Sequence, residues 1–156
     1  MTDNIYKRVE NYVTALYKDN DNPNLLYHNL AHTKKVVERV KEIAAHYKVN
    51  ETDMLILYVA AWFHDTGHLF SEIEKHEEKS TELMKEYMAK EEGVDHDTID
   101  RISSCIYATR IPHAPKNLLE EIISDADTYH FGTKDFKDAN KTIKKEFALR
   151  GYGFLI

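Results

Sequence analysis

One cysteine, Cys105, in 156 residues leaves no partner for an internal disulfide, so the fold must rest on its core. The thiol falls in the apolar pattern of Ile102 and Ile106 and reads as a buried free cysteine, which suits a reducing cytoplasm. Three prolines and five glycines are few, and no segment reads as a strand, a repeat, a linker or low complexity. No apolar run approaches the roughly 18 residues needed to cross a bilayer, and Met1-Thr2-Asp3-Asn4 lacks a basic segment ahead of an apolar core. Neither export nor membrane insertion is expected. Basic residues are in deficit, 21 against 27 acidic, and the net charge of -6 argues against an extended nucleic-acid surface. It leaves room for a small phosphorylated ligand held by a few local cations. Also missing are a G-x-S-x-G elbow, a phosphate-cradling glycine loop and a catalytic-cysteine motif.

What is present is helical periodicity around one greasy segment. Met54 to Phe63 carries no charge, and a helix apolar on every side belongs in the middle of a domain. It runs into Trp62-Phe63-His64-Asp65-Thr66-Gly67-His68, so His64 and Asp65 are delivered to the interior. The spacing predicts helices over about 3–18, 29–47, 51–68, 73–92, 95–110, 115–126 and 133–150. Asn50 caps the central helix, and Gly67 ends it as a left-handed residue. Gly93 closes the fourth helix, and Pro115 opens the sixth. The architecture expected is a single all-α domain over 1–156, a bundle with the central helix buried inside the others.

Four polar residues turn inward with the apolar ones: His32 on the second helix, the adjacent His64 and Asp65, and Asp127 at the end of the sixth. A buried imidazole and carboxylate need partners, and a metal ion satisfies several at once. Imidazole nitrogen and carboxylate oxygen suit Mn²⁺, Fe²⁺, Co²⁺, Ni²⁺ or Zn²⁺, and four protein ligands leave positions for water and substrate.

The order Tyr27-His28-Asn29-Leu30-Ala31-His32, then His64-Asp65-Thr66-Gly67, then Asp125-Ala126-Asp127 before Gly132, resembles the HD-domain metal-dependent phosphohydrolases. The resemblance covers about 27–132, with 133–156 left as a C-terminal helix and tail. It implies His32, His64, Asp65 and Asp127 as metal ligands. Asp125 is the alternative last ligand, although the family's usual aspartate directly follows the alanine. His28, one turn before His32, contacts substrate phosphate, orients a ligand, or caps the second helix. Some relatives hold a second metal through further histidines. His76 lies on an inward face, but where two-metal members have a histidine before threonine this chain has Ala108-Thr109, and only His113 offers a substitute. One ion per chain is therefore expected. His68 and His130 read as hydrogen-bonding residues near the rim, and His46 and His96 as surface histidines.

The activity implied is hydrolysis of a phosphate ester or phosphoanhydride in a nucleotide-like molecule, with Asp65 and His64 at the metal and a water as attacking group. Arg110 is the first candidate to offset charge on the phosphoryl oxygens, ahead of Lys35 and Lys116, and Glu77 or Glu78 could shuttle a proton beside His76. Two rivals stay open: a sensory nucleotide-binding module that has lost catalysis, and a di-iron oxygenase that would need the second set of histidines. The apolar end, Gly151-Tyr152-Gly153-Phe154-Leu155-Ile156, reads either as a truncation or as a tail that packs on a neighbour in a homo-oligomer.

Overall fold

Every residue from Ile56 to Phe63 is buried, and the helix that carries them, α3 (Glu51–Phe63), is the axis of the fold. The computed structural model describes residues 2–111, 113–128 and 136–151. Packed on α3 are α1 (Thr2–Asp19), α2 (Leu30–Tyr47), α4 (His76–Met88), α5 (His96–Ala108) and α6 (Leu118–Asp127). A seventh helix, α7 (Phe136–Leu149), follows, and no strand occurs among the described residues. No helix there is long and apolar enough to cross a membrane.

Each surrounding helix spends one stripe on this axis. Val9 and Val13 of α1, Val36, Val40 and Ala44 of α2, Met84 of α4, Ile102 and Ile106 of α5, and Ile123 and Ala126 of α6 are fully buried. Cys105 is buried among them as a free thiol, and burial pushes its ionisation up to about 12. Asn29, Asn50, Asp95 and Asn117 cap four helix starts, each side chain accepting from a backbone N–H three residues on. The sixth helix thus starts from its Asn117 cap rather than at Pro115, because an asparagine oxygen satisfies an orphan N–H and a proline only tolerates the position.

The central helix is shorter than its periodicity predicts. It stops at Phe63, with His64 as its last half-turn, and a 3-10 turn over Thr66–Leu69 follows. A second 3-10 turn, Ile73–Lys75, takes the place of the predicted first turn of α4. The cause is local side-chain bonding: Thr66 Oγ1 donates to Phe63 O at 2.8 Å. Ser80 of α4 reaches back, its hydroxyl donating to His64 O at 2.9 Å and accepting from Gly67 N at 2.8 Å.

Gly67 is also not the left-handed cap expected of it; positive φ belongs to Gly93 and Gly151 among the described glycines. Its need is for space. A Cβ there would stand 2.9 Å from Ser80 N and nearer still to the His76 carbonyl, so only glycine lets the turn lie against α4. Gly67→Ala is therefore expected to cost about 1–3 kcal/mol by overpacking against backbone. Gly93→Ala, where nothing lies near the added carbon, should cost about 1 kcal/mol from its left-handed φ alone. Urea denaturation of the two variants checks this; an undisturbed Gly67→Ala protein would refute the close approach.

Candidate metal centre

Three elements aim four donor atoms at one point. His32 sits in the first turn of α2, where the Asn29 cap accepts from its own backbone N–H at 3.1 Å. His64 and Asp65 follow the last residue of α3, and Asp127 is the last residue of α6. Arg39 of α2 donates to Ala126 O at 3.4 Å, tying α2 to the end of α6 beside Asp127.

The donors alternate in kind. His32 Nε2 lies 3.2 Å from Asp65 Oδ2 and 3.3 Å from Asp127 Oδ1, and His64 Nε2 lies 3.2 Å from each of the same oxygens. Nitrogen and oxygen thus occupy the corners of a four-sided figure, buried at three corners and half-buried at Asp127. A cation at its middle would lie about 2.0–2.3 Å from each corner, whether the figure is flat or folded toward a tetrahedron, which matches nitrogen and oxygen ligation of a divalent transition metal. The hydrogen bonding agrees with this fit. His64 Nδ1 donates to Ala61 O at 2.7 Å, so in the neutral ring Nε2 is a bare lone pair facing two carboxylates. Asp65 Oδ2 is buried with no hydrogen bond. These residues could hold a metal ion, and their chemistry does not identify which.

Without a cation, protons must stand in. Burial opposes charging His64, yet Asp65 and Asp127 outweigh it and raise its pKa well above the ordinary imidazole value; His32 is raised in the same way. Burial likewise opposes ionising both aspartates, but the imidazoles hold Asp65 well below, and Asp127 below, the usual carboxylate range.

A cavity of about 580 Å³ opens on this group. Its polar wall includes Asp65, His68, His76 and Glu77, and Ile73, Ile111, Ile143 and Phe147 supply an apolar side. His76 lies as its helical face predicts: Nε2 is 3.6 Å from Asp65 Oδ1 and 3.1 Å from Glu77 Oε2. Arg110 is at the rim, largely exposed, with Nε 4.0 Å from Glu77 Oε1. His28 also lines the cavity.

Other sequence-predicted residues fall elsewhere. Asp125 is exposed, because two residues along a helix turn a side chain about 200°, away from the face that carries Asp127. His113, Lys35 and Lys116 are not among the cavity's lining residues; Lys35 lines a separate cavity of about 350 Å³ along α2. Glu78 is exposed where Glu77 is buried, and His46 and His96 are at the surface. His130, Gly132 and the tail from Tyr152 lie outside the described residues.

Sequence reasoning missed Glu146 and Arg150. Glu146 is fully buried. It accepts from the backbone N–H groups of Tyr27 and His28, both at 2.8 Å, from His28 Nδ1 at 2.5 Å and from Arg150 Nη1 at 3.0 Å. Burial opposes its charge, but His28 and those N–H groups keep it below the usual glutamate range. Arg150 Nη1 also donates to His68 Nδ1 at 3.0 Å. His68 is stacked between His28 and His76, with ring centres 4.0 and 3.9 Å away. The only signal in the chain was the i,i+4 pairing of Glu146 with Arg150 beside the Ile143 and Phe147 stripe.

A family model described as HD domain matches residues 29–132, about two thirds of the chain. No curated protein and no solved structure matches.

If the four donors close on a cation, binding must displace the protons on His32 and His64. Apparent affinity for Mn²⁺ or Zn²⁺ should then rise with pH, by up to about 100-fold per unit while both rings are protonated, and level off once both are free. Calorimetric titration in buffers of different ionisation enthalpy counts the protons released; pH-independent binding would rule this group out.

Proposed function

Because the chain belongs to the HD-domain family, we propose that it is a metal-dependent phosphohydrolase acting on a small, nucleotide-like phosphate ester or phosphoanhydride. The observation that carries the reading is the buried alternation of two imidazole nitrogens and two carboxylate oxygens, 3.2–3.3 Å apart, beside a cavity large enough for a small organic phosphate. His32, His64, Asp65 and Asp127 would hold the ion, one per chain. Bound there, a divalent cation supplies Lewis acidity to a phosphoryl oxygen and lowers the pKa of the attacking water.

The other roles belong to the cavity wall. Arg110 is its one arginine or lysine among the described residues. Its guanidinium can take two phosphoryl oxygens and offset the charge that grows on them. His28, gripped at Nδ1 by the buried Glu146, has Nε2 as its other proton site, and when protonated there as well it can give that proton to the leaving oxygen. His76 donates from Nδ1 to Ile73 O at 2.7 Å, which leaves Nε2 facing Glu77, and this pair can hold and pass a proton. Ile73, Ile111, Ile143 and Phe147 offer the organic part of a substrate an apolar surface and exclude water around it.

A nucleotide and phosphodiester panel assayed with added Mn²⁺ tests the reading. Asp65→Ala should abolish metal-dependent turnover while circular dichroism keeps its helical signal; near-wild-type turnover in that variant would remove Asp65 from the site. Arg110→Ala should lower kcat/KM by about 10- to 100-fold, the range for losing hydrogen bonds to a charged group. Steady-state kinetics on the best substrate measures it, and an unchanged value would return Arg110 to the surface.

A further inference from the structure

The three stacked imidazoles of the cavity wall are not chemically alike. At His68 the polarity of Nδ1 is settled by its partner: a guanidinium N–H can only donate, so Nδ1, 3.0 Å from Arg150 Nη1, must be the acceptor. The ring proton therefore sits on Nε2, and a ring that accepts at Nδ1 while carrying its proton on Nε2 is neutral. Glu146 holds the same Nη1 at 3.0 Å, so the arginine cannot swing away without stranding a buried carboxylate. At His28 the polarity is reversed, since Glu146 is an acceptor and Nδ1 there donates.

The Nε2–H of His68 has no acceptor among the described residues. It is buried without a hydrogen-bond partner. Its nearest carboxylate oxygen, Asp65 Oδ1, is 3.6 Å away, beyond a useful bond. His28 and His76 cover both faces of the ring, so only its edge is free. A buried donor on the wall of a cavity calls for an acceptor from the ligand.

We propose that Arg150 fixes His68 as a neutral N–H donor to the cavity, where it takes an oxyanion of the ligand rather than ligating a second metal ion. His28, Asp65 and His68 bring donor atoms close enough to suggest such an ion. A nitrogen that carries a proton has no lone pair for a metal, so the group fails at His68. The inference rests on the hydrolase reading only in taking the oxyanion to be a phosphoryl oxygen. Arg150 is a positioning residue: it acts through His68 and does not line the cavity itself.

Long-range ¹H–¹⁵N correlation spectra of protein labelled at histidine nitrogen test this, metal-free and loaded with Zn²⁺, with inorganic phosphate as the oxyanion. His68 should carry its proton on Nε2, keep it on zinc loading, and show that proton moving downfield as phosphate is added. Arg150→Lys, whose ammonium also only donates, should keep the tautomer. Arg150→Met should give a tautomer mixture and weaken phosphate binding by about tenfold, the effect of misplacing one hydrogen bond to an anion. An Nδ1–H form in the wild type, loss of the Nε2 proton on zinc loading, or an Nε2–H unmoved by saturating phosphate would each overturn the proposal. A protein with the expected spectra that hydrolyses no phosphate ester would support this assignment and end the hydrolase reading.

Discussion

Four lone pairs converge on one buried point, and a fold that assembles them must also supply something positive between them. His64 makes the constraint strict: its Nδ1–H is committed to Ala61 O, so Nε2 meets two carboxylate oxygens with no proton of its own in the neutral ring. Left unfilled, such a cluster would oppose folding, because buried carboxylates and unmatched acceptors are costly. Filled by protons it is tolerable; filled by a cation of charge two it becomes a gain, since ligand binding to the native state alone adds directly to stability. The devices around it serve this convergence. Asn29 anchors the turn that presents His32, Ser80 stitches the end of α3 to α4, and Arg39 draws α2 against the end of α6.

Much of this was legible because it depends on patterns a sequence carries locally. An apolar run without charge can only be interior, and Met54 to Phe63 therefore announced both the central helix and the depth of the two residues that follow it. The ordered His32, His64, Asp65 and Asp127 were readable for the same reason, each being a polar residue on an inward face. Errors came where tertiary contact decides. The periodicity carried the central helix through His68, but the hydroxyls of Thr66 and Ser80 end it at Phe63. Gly67 was visible as a requirement and misread in kind, since a glycine chosen for a close neighbour and one chosen for φ look identical in a sequence.

Glu146 and Arg150 were hidden for a deeper reason. An acidic and a basic residue four apart on a lysine-rich helix describe an ordinary solvated face, and only the chain's return past Tyr27 and His28 turns that pair inward. Among the described side chains of α7, Glu146 is the one that is buried, with Ile143 and Phe147 half-buried beside it. Glu146 gathers two backbone N–H groups, an imidazole and a guanidinium, and the helix that brings it also brings Ile143 and Phe147 to the cavity. Polar anchoring of this kind trades some stability for orientation, because every donor has a direction.

The charges around the cavity bear on both ligands of the proposed reaction. Asp65, Asp127, Glu74 and Glu77 are on the wall, with Arg110 as its one arginine or lysine among the described residues. Four carboxylates against one guanidinium leave that wall unwelcoming to an anion unless the corners among them carry positive charge. Protons on His32 and His64, or a divalent ion in their place, would bring the same charge of two, so what the ion would add is not net charge but open coordination positions and Lewis acidity. In the proposed reaction metal and phosphate would be coupled by coordination: a proton only fills its corner, whereas an ion held by four residues would keep positions for a phosphoryl oxygen.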